Sequence, residues 1–97
     1  MKVQLREWRK EFRRRVLERD KMACVICGWS LDPEKLDPHH ITDRHEMPND
    51  GYVPENGITL CPVCHRGAED GIYSQEELYR KIGSSKEKAT EMARQLR

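Results

Sequence analysis

From Leu5, apolar residues recur at Trp8, Phe12 and Val16, with Leu17 beside the last, the three-and-four spacing that lays one stripe along an α-helix. The spacing predicts an amphipathic helix over residues 4–19, whose other face carries Arg6, Arg9, Lys10, Arg13, Arg14 and Arg15. Trp8 and Phe12 read as core residues of that helix rather than as base-stacking groups. The helical period is then lost. The span from Trp29 to Asn56 is rich in Pro, Asp and Asn and reads mainly as loop. Two short extended pieces, Leu36–Thr42 and Gly57–Leu60, are placed to pair as a small antiparallel ribbon. Pro62 suits an early helical position, so a short helix is expected after it, weakened at Gly67 and ended at Gly71. Ser74 with Glu77, and Ser84 with Glu87, match the capping box that starts a helix. They predict helices over about 75–82 and 85–96, separated at Gly83. The pattern holds no internal repeat.

Composition narrows the picture. A chain of 97 residues is one domain's worth, and a two-domain enzyme with an interdomain cleft is excluded. Apolar and charged residues each make up 36%, which leaves a thin core in need of a staple. No apolar run approaches the ~18 residues that span a bilayer, so no membrane association is expected. The first 21 residues are charged and lack a signal-peptide core, which predicts an intracellular, cytoplasmic location where cysteines serve as metal ligands more often than as disulfides.

The net charge of +1 is unevenly spread. Residues 1–21 hold nine Lys/Arg against four Asp/Glu, residues 22–85 five against eleven, and residues 86–97 four against two. Basic ends around an acidic middle suit a polyanion gripped at the ends, with carboxylates and metal at the centre. An ordinary solvated helix face is the plainer alternative.

Cys24-Val-Ile-Cys27-Gly28 and Cys61-Pro-Val-Cys64-His65 supply four thiolates, the number a closed tetrahedral zinc requires. Two residues between thiols let both sulfurs of a turn face one ion at ~2.3 Å. Two disulfides are the competing reading. The clip closes off a loop, Gly28–Leu60, that contains three of the four histidines and leaves His65 directly after the last cysteine. With four thiolates already on the zinc, His65 is a spare ligand at the start of a helix.

Adjacent strand residues point to opposite faces, so His39 and His40 cannot easily grip one ion side by side. One can join His65 on a catalytic divalent cation while the other takes a proton from water. Spacing does not say which does which. His45 and Arg44 read either as solvated loop residues or as phosphate contacts, and Tyr52 has no assignable role.

Asp37-Pro-His-His-Ile41, Glu55-Asn-Gly-Ile-Thr-Leu-Cys61 and Pro-Val-Cys-His65, with the helical lead Val16–Asp20, resemble the HNH (ββα-metal) endonucleases. The likeness is to the subgroup buttressed by two CxxC pairs, and it covers roughly residues 12–78. The resemblance implies a small α+β fold: a zinc-clipped ββα core at about 22–72 between an N-terminal basic helix at about 4–19 and C-terminal helices at about 75–96, in a single domain, 1–97. It makes His40 the general base, Asn56 the residue that holds the loop so that the base is aimed, and His39 and His65 ligands of the catalytic ion. Glu69, one turn after His65, is a candidate for a further ligand. It further implies hydrolysis of DNA to 5′-phosphate and 3′-hydroxyl ends with Mg²⁺ or Mn²⁺, sites with two histidines also accepting Ni²⁺ or Zn²⁺. Arg9, Arg13, Arg14, Arg15 and Arg44 are the expected DNA contacts, in a monomer or homodimer. Small free-standing members of this family are often encoded by phages or mobile elements, which adds DNA-packaging proteins to the partners to consider. The rival class is a zinc-ribbon module that binds nucleic acid without chemistry, and it leaves the histidines unexplained.

Overall fold

The computed structural model describes residues 2–96, with side chains from Gln4 onward. Met1 and Arg97, the ends of the expected domain, lie outside the described residues. Helix α1 runs Lys2–Arg19, β1 Asp37–His40, β2 Gly57–Leu60, α2 Pro62–Glu69, α3 Gln75–Lys81 and α4 Lys86–Arg94. Four short 3₁₀ turns, three of them opened by a proline, fill the loops. The fold is small α+β, as expected, and no helix among the described residues is long and apolar enough to cross a membrane.

β1 and β2 pair antiparallel in the register Asp37↔Leu60, Pro38↔Thr59, His39↔Ile58 and His40↔Gly57. Two four-residue strands are marginal alone, and the end of α1 completes them. Every residue of β2 is buried, and its outer edge is satisfied locally. The Thr59 N–H donates to Asp20 Oδ2 at 2.9 Å, the Val25 N–H donates to the Thr59 carbonyl at 3.0 Å, and Arg19 donates to the carbonyls of Pro54 and Gly57, both at 2.7 Å. Asp20 in turn pairs with Arg19 at 2.8 Å. An edge that would otherwise recruit another chain is thereby closed by two side chains.

The larger apolar cluster gathers Leu17, Leu36, Ile58, Leu60, Leu78, Tyr79, Ala89 and Ala93 around three of the cysteines. A smaller one joins Phe12 and Val16 of α1 to Tyr52 in the loop, with Leu5, Trp8 and Leu96 packed against it.

Several boundaries differ from the sequence reading, and α4 ends at Arg94 rather than at residue 96. β1 is shorter than Leu36–Thr42, because Leu36 caps a 3₁₀ turn and the Thr42 N–H leaves the ladder for the Asn56 side chain. Ser74 caps α3 as expected, but α4 is capped by Ser85, whose Oγ accepts from the Lys88 N–H. Ser84 instead donates its hydroxyl to the Glu55 carbonyl at 2.9 Å, fastening the loop before β2. Helix α1 also begins at Lys2, two residues ahead of the expected start.

Gly57 shows how closely α1 approaches β2: a Cβ there would stand 2.6 Å from Val16 Cγ2 and 2.7 Å from Phe12 Cε1. Gly57→Ala should therefore force α1 outward and destabilise the fold by about 1–3 kcal/mol, lowering Tm by about 4–8 °C per kcal/mol. Thermal denaturation followed by circular dichroism measures it, and an unchanged Tm would mean that α1 packs more loosely than described.

Candidate functional site

The four cysteines carry no disulfide, and their sulfurs all lie within 4.8 Å of one another. A tetrahedral ion with bonds of about 2.3 Å sets its sulfurs roughly 3.8 Å apart, and Cys27 and Cys61 Sγ stand at 3.7 Å. The donor set fits zinc. Each knuckle is shaped by its backbone: Gly28, at φ 81°, turns the chain where a side chain would be strained, and the Gly28 N–H closes onto the Cys24 carbonyl at 2.8 Å. Burial alone would raise the Cys24 thiol, but N–H groups of Cys27 and Cys61 converging on it bring it down to about 7. Cys61 also caps α2, its sulfur accepting from the Cys64 N–H at 3.4 Å. His65 is thereby fixed in the first turn of the helix.

His39 and His40 leave β1 on opposite faces. His39 meets His65 edge to face, ring centroids 5.1 Å apart. His65 lies between two carboxylates, Nδ1 3.7 Å from Asp37 and Nε2 3.7 Å from Glu69. Asp37 precedes His39 by two residues on the same strand and so shares its face, while Glu69 follows His65 by one helical turn. Imidazole nitrogens beside carboxylate oxygens are a donor set for Mn²⁺, Mg²⁺ or Zn²⁺. These atoms are less tightly gathered than the sulfurs: among the described residues, only the cysteines bring three or more ligand atoms within 4.8 Å of one another.

His40 faces the other way, held between two aromatic rings. Phe12 of α1 stacks on it, centroids 4.5 Å apart at 21°, and Tyr52 presents an edge at 5.0 Å. Its Nε2 is buried and has no hydrogen-bond partner in the protein. Burial above all, with the Arg44 guanidinium adding to it at His40, pushes both His39 and His40 down to about 4, so both imidazoles are neutral near pH 7.

Both histidines line one open groove of about 870 Å³, with Asp37, His65 and Glu69 on one side and Arg44, His45 and Gln75 among its other walls. Asn56 is not in the groove. It is completely buried, and its side chain ties Thr42 to Gly51: Nδ2 donates to the carbonyls of Thr42 and Gly51 at 3.1 and 3.3 Å, and Oδ1 accepts from the Thr42 N–H at 3.0 Å. Its backbone carbonyl accepts from the Ile41 N–H at 2.9 Å.

The basic face of α1 divides. Arg14 is paired with Glu11 at 2.7 Å and Glu18 at 3.0 Å, and Arg13 donates to the Leu36 carbonyl at 3.3 Å. Arg9 and Arg15 are exposed, and neither makes a salt bridge among the described residues. Arg44 lies over the Tyr52 ring, 5.5 Å from its centroid, at the wall of the groove.

Asp37, Phe12 and Tyr52 are the neighbours that sequence reasoning missed. Strand alternation could have picked out Asp37. Nothing local could place Phe12 or Tyr52 on His40, because each comes from a distant segment.

A ribbon running into a helix beside a four-cysteine cluster able to bind zinc, with histidines on its first strand and at the helix start, is the architecture of the ββα-metal class. Residues 24–71 match the family model for HNH endonuclease, and this segment, about half of the chain, belongs to that family. No curated protein and no solved structure matches the chain. Helices α1, α3 and α4 lie outside the matched segment.

Because the core is thin and the clip closes the long loop, metal and folding are expected to be coupled. Native mass spectrometry should show one tightly held zinc, and Cys61→Ser should leave the chain largely unfolded by circular dichroism. A folded, metal-free Cys61→Ser protein would show that the apolar clusters suffice without the clip.

Proposed function

We propose that the chain is a metal-dependent endonuclease that hydrolyses DNA phosphodiester bonds, residues 1–97 acting as one domain. The observation that carries the reading is the division of the two adjacent histidines. His39 joins His65, Asp37 and Glu69 on one side of the groove, whereas His40 stands apart between Phe12 and Tyr52 with a ring nitrogen that no protein group uses. A buried polar atom without a partner calls for a reason, and a base reserved for a reactant supplies one.

In this reading neutral His40 takes a proton from water as the water oxygen bonds to phosphorus. The bond to the 3′ oxygen breaks, solvent protonates that oxygen, and the ends are a 5′-phosphate and a 3′-hydroxyl. His39 and His65, with Glu69 as a further donor, hold the divalent cation, Mg²⁺ or Mn²⁺ before Ni²⁺ or Zn²⁺. When bound, that cation neutralises charge on the phosphate and the departing oxygen. Asn56 holds the segment after His40 and so aims the imidazole. Arg44 at the groove wall, with Arg9 and Arg15 on the open face of α1, contacts phosphates, while Arg13 and Arg14 are largely occupied within the fold.

The two histidines should fail differently. His40→Ala should keep zinc, bind Mn²⁺ at the second site and bind DNA, while cleaving about 10² to 10⁴ times more slowly. His39→Ala should bind Mn²⁺ poorly and recover part of its rate at high Mn²⁺, since mass action refills a weakened site. Calorimetric Mn²⁺ titration of the zinc-loaded proteins, beside plasmid cleavage across Mn²⁺ concentrations, separates them. Normal cleavage by both variants, or no cleavage by the unaltered protein, would leave only a nucleic-acid-binding zinc module.

The arginines make a second test. Each phosphate contact contributes about −0.9 to the slope of log affinity against log salt. Arg9→Gln with Arg15→Gln should flatten that slope by about one to two, and Arg14→Gln should barely change it. An unchanged slope in the double variant would return α1 to an ordinary solvated face.

A further inference from the structure

The Asn56 side chain has a fourth hydrogen bond, and it reaches outside the family segment. Tyr79 of α3, 3% exposed, donates its hydroxyl to Asn56 Oδ1 at 2.7 Å. Counting this with the two carbonyls that accept from Nδ2 and the Thr42 N–H that donates to Oδ1, the Asn56 amide uses every position it has, which fixes its orientation. Tyr79 must then be the donor. Its oxygen also lies 2.7 Å from Thr42 Oγ1, so the proton in that contact must be Thr42's. Thr42 Oγ1 lies 2.7 Å from the Gln75 side-chain amide as well. With Gln75 Oε1 facing Thr42, as placed, three contacts between oxygens would share two protons. A half-turn of the amide leaves its shape unchanged, turns NH₂ toward Thr42 and supplies the third proton. The chain then runs one way, from Gln75 through Thr42 and Tyr79 to Asn56. Gln75 opens on the groove, and Asn56 is completely buried.

We propose that Tyr79, with Thr42 and Gln75, is a positioning residue of the nuclease site: their hydrogen-bond chain anchors the segment that follows His40 to α3. The proposal rests on the nuclease reading. The first two N–H groups after His40, those of Ile41 and Thr42, both end on Asn56. The orientation of the base therefore depends on how firmly Asn56 is held. Removing the Tyr79 hydroxyl keeps the ring in the core, leaves Asn56 Oδ1 with the Thr42 N–H as its one donor, and frees the Thr42 hydroxyl to turn to Gln75, so that the Asn56 side chain loses its bond to α3.

Tyr79→Phe should retain zinc and cooperative unfolding, leave KM for DNA within about twofold, and lower kcat by about tenfold. Thr42→Val should reproduce that loss, Thr42→Ser should keep most of kcat, and the double variant Tyr79→Phe with Thr42→Val should fall little further than either single one, as members of one chain do. A Tyr79 that merely filled space would leave kcat, KM and exchange unmoved in Tyr79→Phe, because the ring stays in place. The readout independent of cleavage is amide hydrogen exchange by NMR: the Thr42 and Ile41 N–H groups should exchange at least about tenfold faster in Tyr79→Phe than in the parent. Unchanged kcat together with unchanged exchange would overturn the proposal. Should the unaltered protein fail to cleave DNA, the nuclease reading falls, and the exchange rates still decide whether Tyr79 anchors this segment.

Discussion

The convergence of four cysteine sulfurs within 4.8 Å is the constraint from which the rest of the molecule follows. A chain with 36% apolar residues has little core to spend against the entropy of ordering the loop between Gly28 and Leu60. Joining the ends of that loop fixes β2 and the first turn of α2 together, since Cys61 is at once one of the four clustered thiols, the residue that follows β2 and the cap of α2. His65 inherits its position from that junction. The ribbon then needs only β1 to complete it, and the outer edge of β2 is sealed by Arg19 and Asp20 at the end of α1.

With the ribbon held, strand alternation sorts the chemistry. Asp37 and His39 turn toward α2, where His65 and Glu69 stand. His40 turns toward α1 and Tyr52. A strand separates a carboxylate-flanked imidazole from one held between aromatic rings within one residue of sequence, something a helix could not do, because adjacent helical residues diverge by only about 100°. The two histidines thus line one groove with different neighbours.

What could be read from the chain follows the range of the interactions. The cysteine pairs, α1 and the cap at Ser74 depend on residues a few positions apart and are legible, and the ribbon is legible because each of its strands is a short extended run, although the two pair across about twenty positions. The opposition of His39 and His40 followed from alternation alone. Ser84 and Ser85 were misassigned because both begin plausible caps; the choice was made by the Glu55 carbonyl, which takes the Ser84 hydroxyl from 29 positions away. Tyr52 carried no signal, since its place beside His40 is set by the loop that Asn56 ties down. The basic face of α1 was legible as composition, but not the internal pairing of Arg14 with Glu11 and Glu18. Arg9 and Arg15 are among the exposed charges that the pairing leaves open.

The family segment closes at Gly71, yet two of its functional candidates are completed from outside. His40 is covered by Phe12 of α1, and Asn56 is saturated by Tyr79 of α3. A lone ββα ribbon would expose the first to water and leave the second one donor short. Stacking keeps the imidazole neutral by burial, and a fully bonded amide cannot rotate away from the loop that it holds. The flanking helices are therefore part of the site's rigidity, and α1 adds its outward arginines on the same element that carries Phe12. Any displacement of α1 therefore moves its outward arginines and the ring that covers His40 together, because one helix bears both.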